Sequence, residues 1–410
     1  MSLFQLGKTT CHYGVVVDIG SGSVLAAIVK SAPEEKYPHI VWSYRQHASL
    51  SNIDSLEKSA KAVMAALVTV LMKLDAEGRK VLYDHDKKAK LTDMQCTISA
   101  PWSYTVTKTI SYKQESEFIV TKGLIDELTT TIQEKVQADL KENEVLQELG
   151  LSTITRATLG MMSNGYSVKH PEGQKASKLA ISHTTVVTHK YLVDAIDEMH
   201  EKLFVQSELK KVSFILLLFC ITRELLSKKH DVCLVDITYE ATEIGVIRDG
   251  ILKYSTHTPF GSFSLAREIS SITGAPLIEA FGYLHTEKPY SFTKTLTESK
   301  KKAIDTIFEA YIDRVASLFR ETGDSLSIPR RISLHADLNS EMLFLDLIEK
   351  AAKRSTKVAP NITLISNELI NQTHDLTKNN TKDISSTDTA LLLSAQFFHI
   401  QSKHQTFDYL

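Results

Sequence analysis

From Gly14 the chain reads GVVVDIGSGSVLAAIVK, two apolar β-type runs parted by a Gly-Ser turn, with a third candidate strand at His39 to Ser43. This pattern predicts a sheet led by a hairpin. Leu56 to Leu74 carries Ala60, Val63, Met64, Leu67 and Leu71 at helical spacing, and the charged stretch Asp75 to Lys90 after it reads as a solvated loop. Met94 to Ser99 predicts a strand that Pro101 ends, and β-type composition resumes at Thr105 to Tyr112. Thr121 stands as an N-cap ahead of a helix to about Ala138. Strand candidates at Thr155 to Met161 and Lys178 to Val187 flank the turn signal Asn164-Gly165-Tyr166. Residues 116–200 therefore read as a small α+β insert, and Tyr191 to Leu203 as a helix returning to the main body.

The second half repeats the opening theme. Val232 to Ile237 is an apolar strand with Asp236 near its end; Glu243 to Arg248 and Ile251 to Thr258 follow, joined by the hairpin signal Asp249-Gly250. Ser262 to Thr273 predicts a helix stopped by Gly274, and an apolar stripe from Ile304 to Phe319 predicts a long amphipathic one. Ile332 to Leu334 reads as a strand, Glu341 to Ala352 and Ala390 to Ile400 as helices. Two segments about 220 residues apart thus share one design, an apolar strand ending near an aspartate, a turn and a returning strand, which points to a duplicated domain.

Composition narrows the classes without choosing among them. The 410 residues are 43% hydrophobic and 23% charged, which excludes collagen-like and wholly disordered chains. Lys and Arg total 47 against 49 Asp and Glu, so the broad basic footprint of a nucleic-acid binder is missing. The four cysteines lie far apart, without metal-ligand spacing, and read as reduced thiols. The first ten residues hold no apolar core of a signal peptide, and the apolar run Phe214 to Ile221 is far short of the roughly 20 residues that span a bilayer, so a cytosolic chain is expected. Fifteen histidines are scattered, and His12, His170, His257 and His335 show no metal spacing. Lys300-Lys301-Lys302 is most simply a solvated face, and Trp102 a core anchor.

Candidate chemistry concentrates at the two Asp-ended turns. In Asp18-Ile19-Gly20-Ser21-Gly22-Ser23, glycines able to take φ > 0 would bring amides to an anion and the serines would add hydroxyl donors. Asp18, and likewise Asp236, could hold Mg²⁺ through water. A plain β-hairpin with turn-capping carboxylates explains the same residues.

These motifs, with LVDITYEATEIGV at Leu234 to Val246, the Asp249-Gly250 hairpin, Pro259-Phe260-Gly261, Ala100-Pro101-Trp102 and the helix after Asp388, resemble the FtsA/PilM family of the actin-like ATPase superfamily. The resemblance covers about residues 12 to 400. It implies an α/β, duplicated ribonuclease H-like, two-lobe actin-like fold with an SHS2-like insert called 1C. The implied division is 12–115 and 201–230 for subdomain 1A, 116–200 for 1C, 231–260 and 329–400 for 2A, and 261–328 for 2B. Carried over by position, Asp18, Gly20, Ser21, Gly22 and Ser23 match the first phosphate loop. Asp236, Thr238 and Thr242 match the second, with Glu243 at its end, although Thr238, Tyr239 and Glu240 stand where glycines are expected and Glu240 would set negative charge near an anionic ligand. His335 and Ala336, with Asp337, fall at the adenosine motif without a glycine. The cofactors implied are ATP and Mg²⁺, with Asp18 and Asp236 at the metal. The role implied is a cytoplasmic scaffold at the inner face of the membrane, binding a short tail of an inner-membrane protein (PilN-like) in a type IV pilus or related machine. The alternatives are an FtsA-like tether that binds a division-ring protein and polymerises into filaments, and an active actin-fold ATPase or small-molecule kinase. A tether would need a basic amphipathic C-terminus, whereas HIQSKHQTFDYL has one lysine and no arginine.

Overall fold

The computed structural model describes residues 11–49, 56–142, 150–225, 231–286, 288–322, 327–336, 340–365 and 388–403. Its first sheet is built from β1 (His12–Ile19), β2 (Ser23–Ser31), β3 (His39–His47), β4 (Leu91–Ile98) and β9 (Glu208–Ser213), in the order β3-β2-β1-β4-β9. β1 runs antiparallel to β2 and parallel to β4. The second sheet, from β10 (Val232–Ile237), β11 (Thr242–Arg248), β12 (Ile251–Thr258), β13 (Arg331–His335) and β14 (Asn361–Leu364), has the order β12-β11-β10-β13-β14 with the same directions. Asp18 of β1 and Asp236 of β10 stand at corresponding places, each one residue from the end of the central strand. The duplication read from the sequence is therefore a repeat of topology as well as of pattern.

Both sheets are covered on both faces, which is why their central strands read as unbroken apolar runs rather than alternating ones. In the first lobe Val15, Val17 and Ile19 pack under α1 (Leu56–Lys73) and α4 (Lys190–Leu203), while Val16, Leu25, Ala27 and Val29 pack under α10 (Thr389–Lys403) through Leu391, Leu392, Ala395 and Phe398. In the second lobe Val235, Ile237 and Ile244 share a core with α6 (Ser262–Thr273), α7 (Leu277–Leu284), α8 (Glu298–Arg320) and α9 (Glu341–Thr356). Its other face, at Leu234, Ile247 and Leu252, receives α5 (Phe214–Leu225). The helix that ends the first repeat thus lies on the second sheet, and the helix that ends the second repeat lies on the first. α5 and α10 also meet each other, with Leu393 and Phe397 entering the α5 cluster.

The third sheet, β5-β8-β6-β7, comes from β5 (Ser103–Ile119), β6 (Leu151–Ser163), β7 (Tyr166–Val168) and β8 (Lys175–His189). α3 (Lys122–Glu142) covers one face with Leu128, Ile132 and Val136, and Thr121 Oγ1 accepts from Leu124 N at its start. The insert's sheet begins at Ser103 rather than 116, because β5 pairs with β8 from Ser103 to Lys113 and again at Phe118 and Ile119, and belongs to the third sheet rather than the first. β5 has the same β-type composition as the lobe strands, so no compositional break marks the crossing. The stretch expected to be a loop, Asp75 to Lys90, instead holds a π-helical turn, Leu74–Gly78, and α2 (Arg79–His85). Leu74, Gly78 and Leu82 recur every four residues and are buried, and Arg79 pairs with Asp75 at 2.5 Å. The hairpin turns match their signals: Asn164-Gly165 and Asp249-Gly250 all have positive φ, as a two-residue primed turn requires.

Two glycines admit the crossed helices. A Cβ on Gly14 of β1 would lie 2.4 Å from the Phe398 ring of α10, and one on Gly245 of β11 would lie 2.9 Å from Ile215 of α5. Gly14→Ala is expected to destabilise the protein by about 1–3 kcal/mol, the usual cost of overpacking. Urea denaturation of Gly14→Ala and of Gly14→Ala/Phe398→Leu checks this, the second change recovering part of the loss.

Candidate functional site

The Asp-ended turns of the two sheets face each other across one cleft. A cavity of about 390 Å³ between them is lined by Asp18, Gly20, Ser21 and Ser23 from the first lobe and Asp236, Thr238 and His335 from the second. Seven of the ten residues assigned to nucleotide binding therefore meet there. The other three serve packing. Gly22 lies beneath Tyr239, Thr242 donates to the Phe260 carbonyl at 2.8 Å and meets the Tyr311 hydroxyl at 2.9 Å, and Ala336 is buried in the second-lobe core. Asp337 falls outside the described residues.

The first turn is held from within its own lobe. Gly20 N donates to Ser23 O at 3.0 Å, Ser99 N to Ile19 O at 3.0 Å, and the buried Trp102 indole to Gly20 O at 3.1 Å. Neither Gly20 nor Gly22 has a positive φ, so the expected left-handed backbone is not what these glycines supply. Gly22 supplies space: a Cβ there would sit 2.4 Å from the Tyr239 ring.

The second turn closes without glycine, through Thr238 N to Ala241 O at 2.9 Å and Ala241 N to Thr238 Oγ1 at 3.1 Å. It packs so closely on Gly261 that a Cβ there would meet Thr238 O at 2.3 Å. Ser262 N and Phe263 N, at the start of α6, donate to Thr238 O and Tyr239 O at 3.0 and 2.8 Å, so carbonyls of the turn occupy that helix terminus. Glu240 points away from the cleft. Its carboxylate accepts from Arg267 Nη1 at 2.8 Å and from Ser264 Oγ at 3.2 Å, and also pairs with Arg267 Nη2. The negative charge expected near an anionic ligand is thus neutralised at α6.

Across the cleft the two turns bond directly to each other. Ser21 Oγ donates to Thr238 Oγ1 at 2.9 Å and accepts from Glu240 N at 2.9 Å. Tyr239, seated on Gly22, stacks on Phe281 at 5.2 Å and lies 6.0 Å from Phe263 and 6.3 Å from His47. Beside this seam Arg45 of β3 forms a fork on Asp388, with Nε to Oδ2 at 2.8 Å and Nη2 to Oδ1 at 2.9 Å. Its Nη1 reaches Ser23 Oγ at 2.6 Å, and Nη2 lies 3.8 Å from Asp18 Oδ2. Asp388 also caps α10 by accepting from Leu391 N at 3.0 Å. On the second lobe His335 Nδ1 bonds Asp236 Oδ1 at 2.7 Å and His335 Nε2 bonds Thr389 Oγ1 at 2.9 Å. Arg45 carried no local signal in the sequence, since its partner lies 343 residues away.

Burial dominates the electrostatics. Asp18 is 3% exposed, and desolvation lifts its carboxyl to about 7, with Arg45 opposing and Asp388 and Asp236 adding to the rise. Glu243, register partner of Asp236 on β11, is raised well above the carboxylate range by burial and then by the Asp236 charge. Three carboxylates, Asp18, Asp236 and Asp388, line the cavity against the single guanidinium of Arg45. Among the described residues no group of three or more His, Cys, Asp and Glu could hold a metal ion. The residues present do not fit a triphosphate held between both turns: the Ser21 hydroxyl and Glu240 amide are engaged with each other, Tyr239 covers Gly22, and the lining charge opposes an anion.

No family model matches the chain, and no curated protein matches it by sequence. Among solved structures it is similar to a chain of the PilM-PilN type IV pilus biogenesis complex, with TM-score 0.59 and 10% identity over 94% of this chain and 97% of that one. It is more distantly similar to ethanolamine utilization protein EutJ from Carboxydothermus hydrogenoformans (TM-score 0.38, 12% identity, 85% and 84% covered). A protein with actin-like ATPase fold and unknown function from Bacteroides thetaiotaomicron gives TM-score 0.40 at 8% identity, with 89% and 93% covered. The protein has the two-lobe actin-like fold. Within that fold its architecture is PilM-like over 94% of the chain.

The Asp18 carboxyl sets a pH dependence. The folded state keeps its proton up to about 7, whereas the unfolded chain releases it near 3.8, so folding binds a proton in between and this group's contribution to stability falls as pH rises through that window. Asp18→Asn is expected to flatten the slope by up to about 1.4 kcal/mol per pH unit between about 4 and 7. Denaturation of both proteins at several pH values measures it; parallel curves would refute the assignment.

Proposed function

We propose that this protein is an actin-fold scaffold of the PilM type, holding a short cytoplasmic tail of a PilN-like inner-membrane protein in a type IV pilus or related machine. The observation that carries this reading is the seam between the turns: groups that a nucleotide-driven enzyme would offer to phosphates are bonded to each other through Ser21. The end-to-end likeness to a chain of a PilM-PilN complex supports the partner class. On this reading the chain divides broadly as the resemblance implies, but the 1C insert spans the strands from Ser103 to His189, and α4 and α10 pack with subdomain 1A.

The insert offers a means of capture. β5 ends its sheet, and Thr107 to Lys113 leaves one row of main-chain groups along a mostly exposed edge. Past Lys113 the register shifts before pairing resumes at Phe118, which limits the regular edge to a length that suits a short extended tail. Membrane contact then runs through the partner, at the inner face of the membrane. Among the described residues no helix is long and apolar enough to cross one. A division tether of the FtsA type finds no support in α10, whose residues from Leu391 to Ile400 are all buried; residues 404–410 lie outside the described residues.

Calorimetry tests the two classes side by side. A synthetic PilN-type tail is expected to bind at micromolar concentration, and Mg-ATP to give neither comparable heat nor phosphate release. Of Ile110→Pro and Ser111→Pro, the one that removes an outward-facing N–H of β5 should weaken the tail about tenfold or more. Tight Mg-ATP binding with turnover, or a folded protein that takes up no tail, would overturn the scaffold reading.

A further inference from the structure

The polar groups on the cleft floor form one chain from lobe to lobe. It starts at Asp236 on β10, passes through His335 on β13 to Thr389, moves one residue along the backbone to Asp388, and continues through Arg45 on β3 to Ser23 and Asp18. Two consecutive residues at the start of α10 therefore hold opposite lobes. Arg45 and Asp388 side chains are 25% and 15% exposed, a partly buried, two-toothed contact, the geometry in which a charge-assisted pair is strong. In this place a guanidinium fixed to the chain does what a bound cation would do between acidic groups of a cleft.

We propose that Arg45, Asp388 and Thr389 form a built-in latch that keeps the two lobes closed on each other in the absence of any ligand. Its consequence is a cleft whose closure is set by the chain itself rather than by what enters it. The Ser21–Glu240 seam is the part the latch protects, since the amide of Glu240 bonds a hydroxyl of the opposite lobe and loses that partner when the lobes part. The amide of Phe263, bonded to Tyr239 O within the second lobe, serves as the internal control. The proposal is independent of the tail-binding reading, and its test needs neither tail nor nucleotide.

The test is site-resolved hydrogen exchange on the full chain. Asp388→Asn keeps an oxygen to cap α10 at Leu391 while removing the charge. Arg45→Met keeps an unbranched stem without the fork. Each is expected to speed exchange of the Glu240 amide about tenfold or more, while Phe263 stays as in the parent. The double variant should be no faster than the quicker single one, as for two members of one interaction. Thr389→Val should speed the same amide, because it cuts the link to His335. Where Arg45→Met does not fold, Arg45→Lys, which keeps charge but loses the two-toothed geometry, should give a smaller rise. Unchanged Glu240 exchange in Asp388→Asn, or effects of Arg45 and Asp388 that multiply, would overturn the latch.

Discussion

The arrangement of the whole molecule depends on two apolar helices crossed between two sheets. α5 and α10 fill the space between the lobes, and each lies on the sheet of the other repeat. Their thickness sets the separation of the sheets, so the ends of β1 and β10 arrive at one cleft at a fixed distance. Burying a residue such as Phe397 completely costs its ordering entropy and returns more through removal from water. Polar contacts on the cleft floor can then be precise because the apolar layer beneath them leaves little freedom.

That precision is used to satisfy the turns with each other. In the second turn, where the resemblance implies glycines, side chains make use of the space: Thr238 accepts from Ser21, Tyr239 roofs Gly22, and Glu240 turns back to Arg267. A buried hydroxyl or amide left without a partner is costly, so once both lobes supply partners the closed form gains an advantage of its own.

Much of this was legible in the chain. The apolar runs ending at Asp18 and Asp236 and the Asp249-Gly250 and Asn164-Gly165 turns rest on local chemistry, and local chemistry is what a sequence displays. Of the seven predicted residues that line the cleft, Asp18, Gly20, Ser21, Ser23 and Asp236 follow from the same motifs, and Thr238 and His335 from the resemblance. What escaped depended on distance or on crowding. The Arg45–Asp388 fork joins residues hundreds of positions apart, and nothing near Arg45 announces it. Helix α2 hid because its buried stripe is only Leu74, Gly78 and Leu82 among charges whose stems and pairs stay at the surface. Gly22 was read for its backbone freedom, while its use is to make room for a ring supplied by the other lobe.

The exchange of helices between repeats has a further cost and benefit. Neither half of the chain contains all the apolar surface its own sheet must cover, so a half expressed alone would leave one sheet face bare to water and to aggregation. The duplicated modules have in this sense lost their independence: they share a single native state, and melting of one strips the other of its lid.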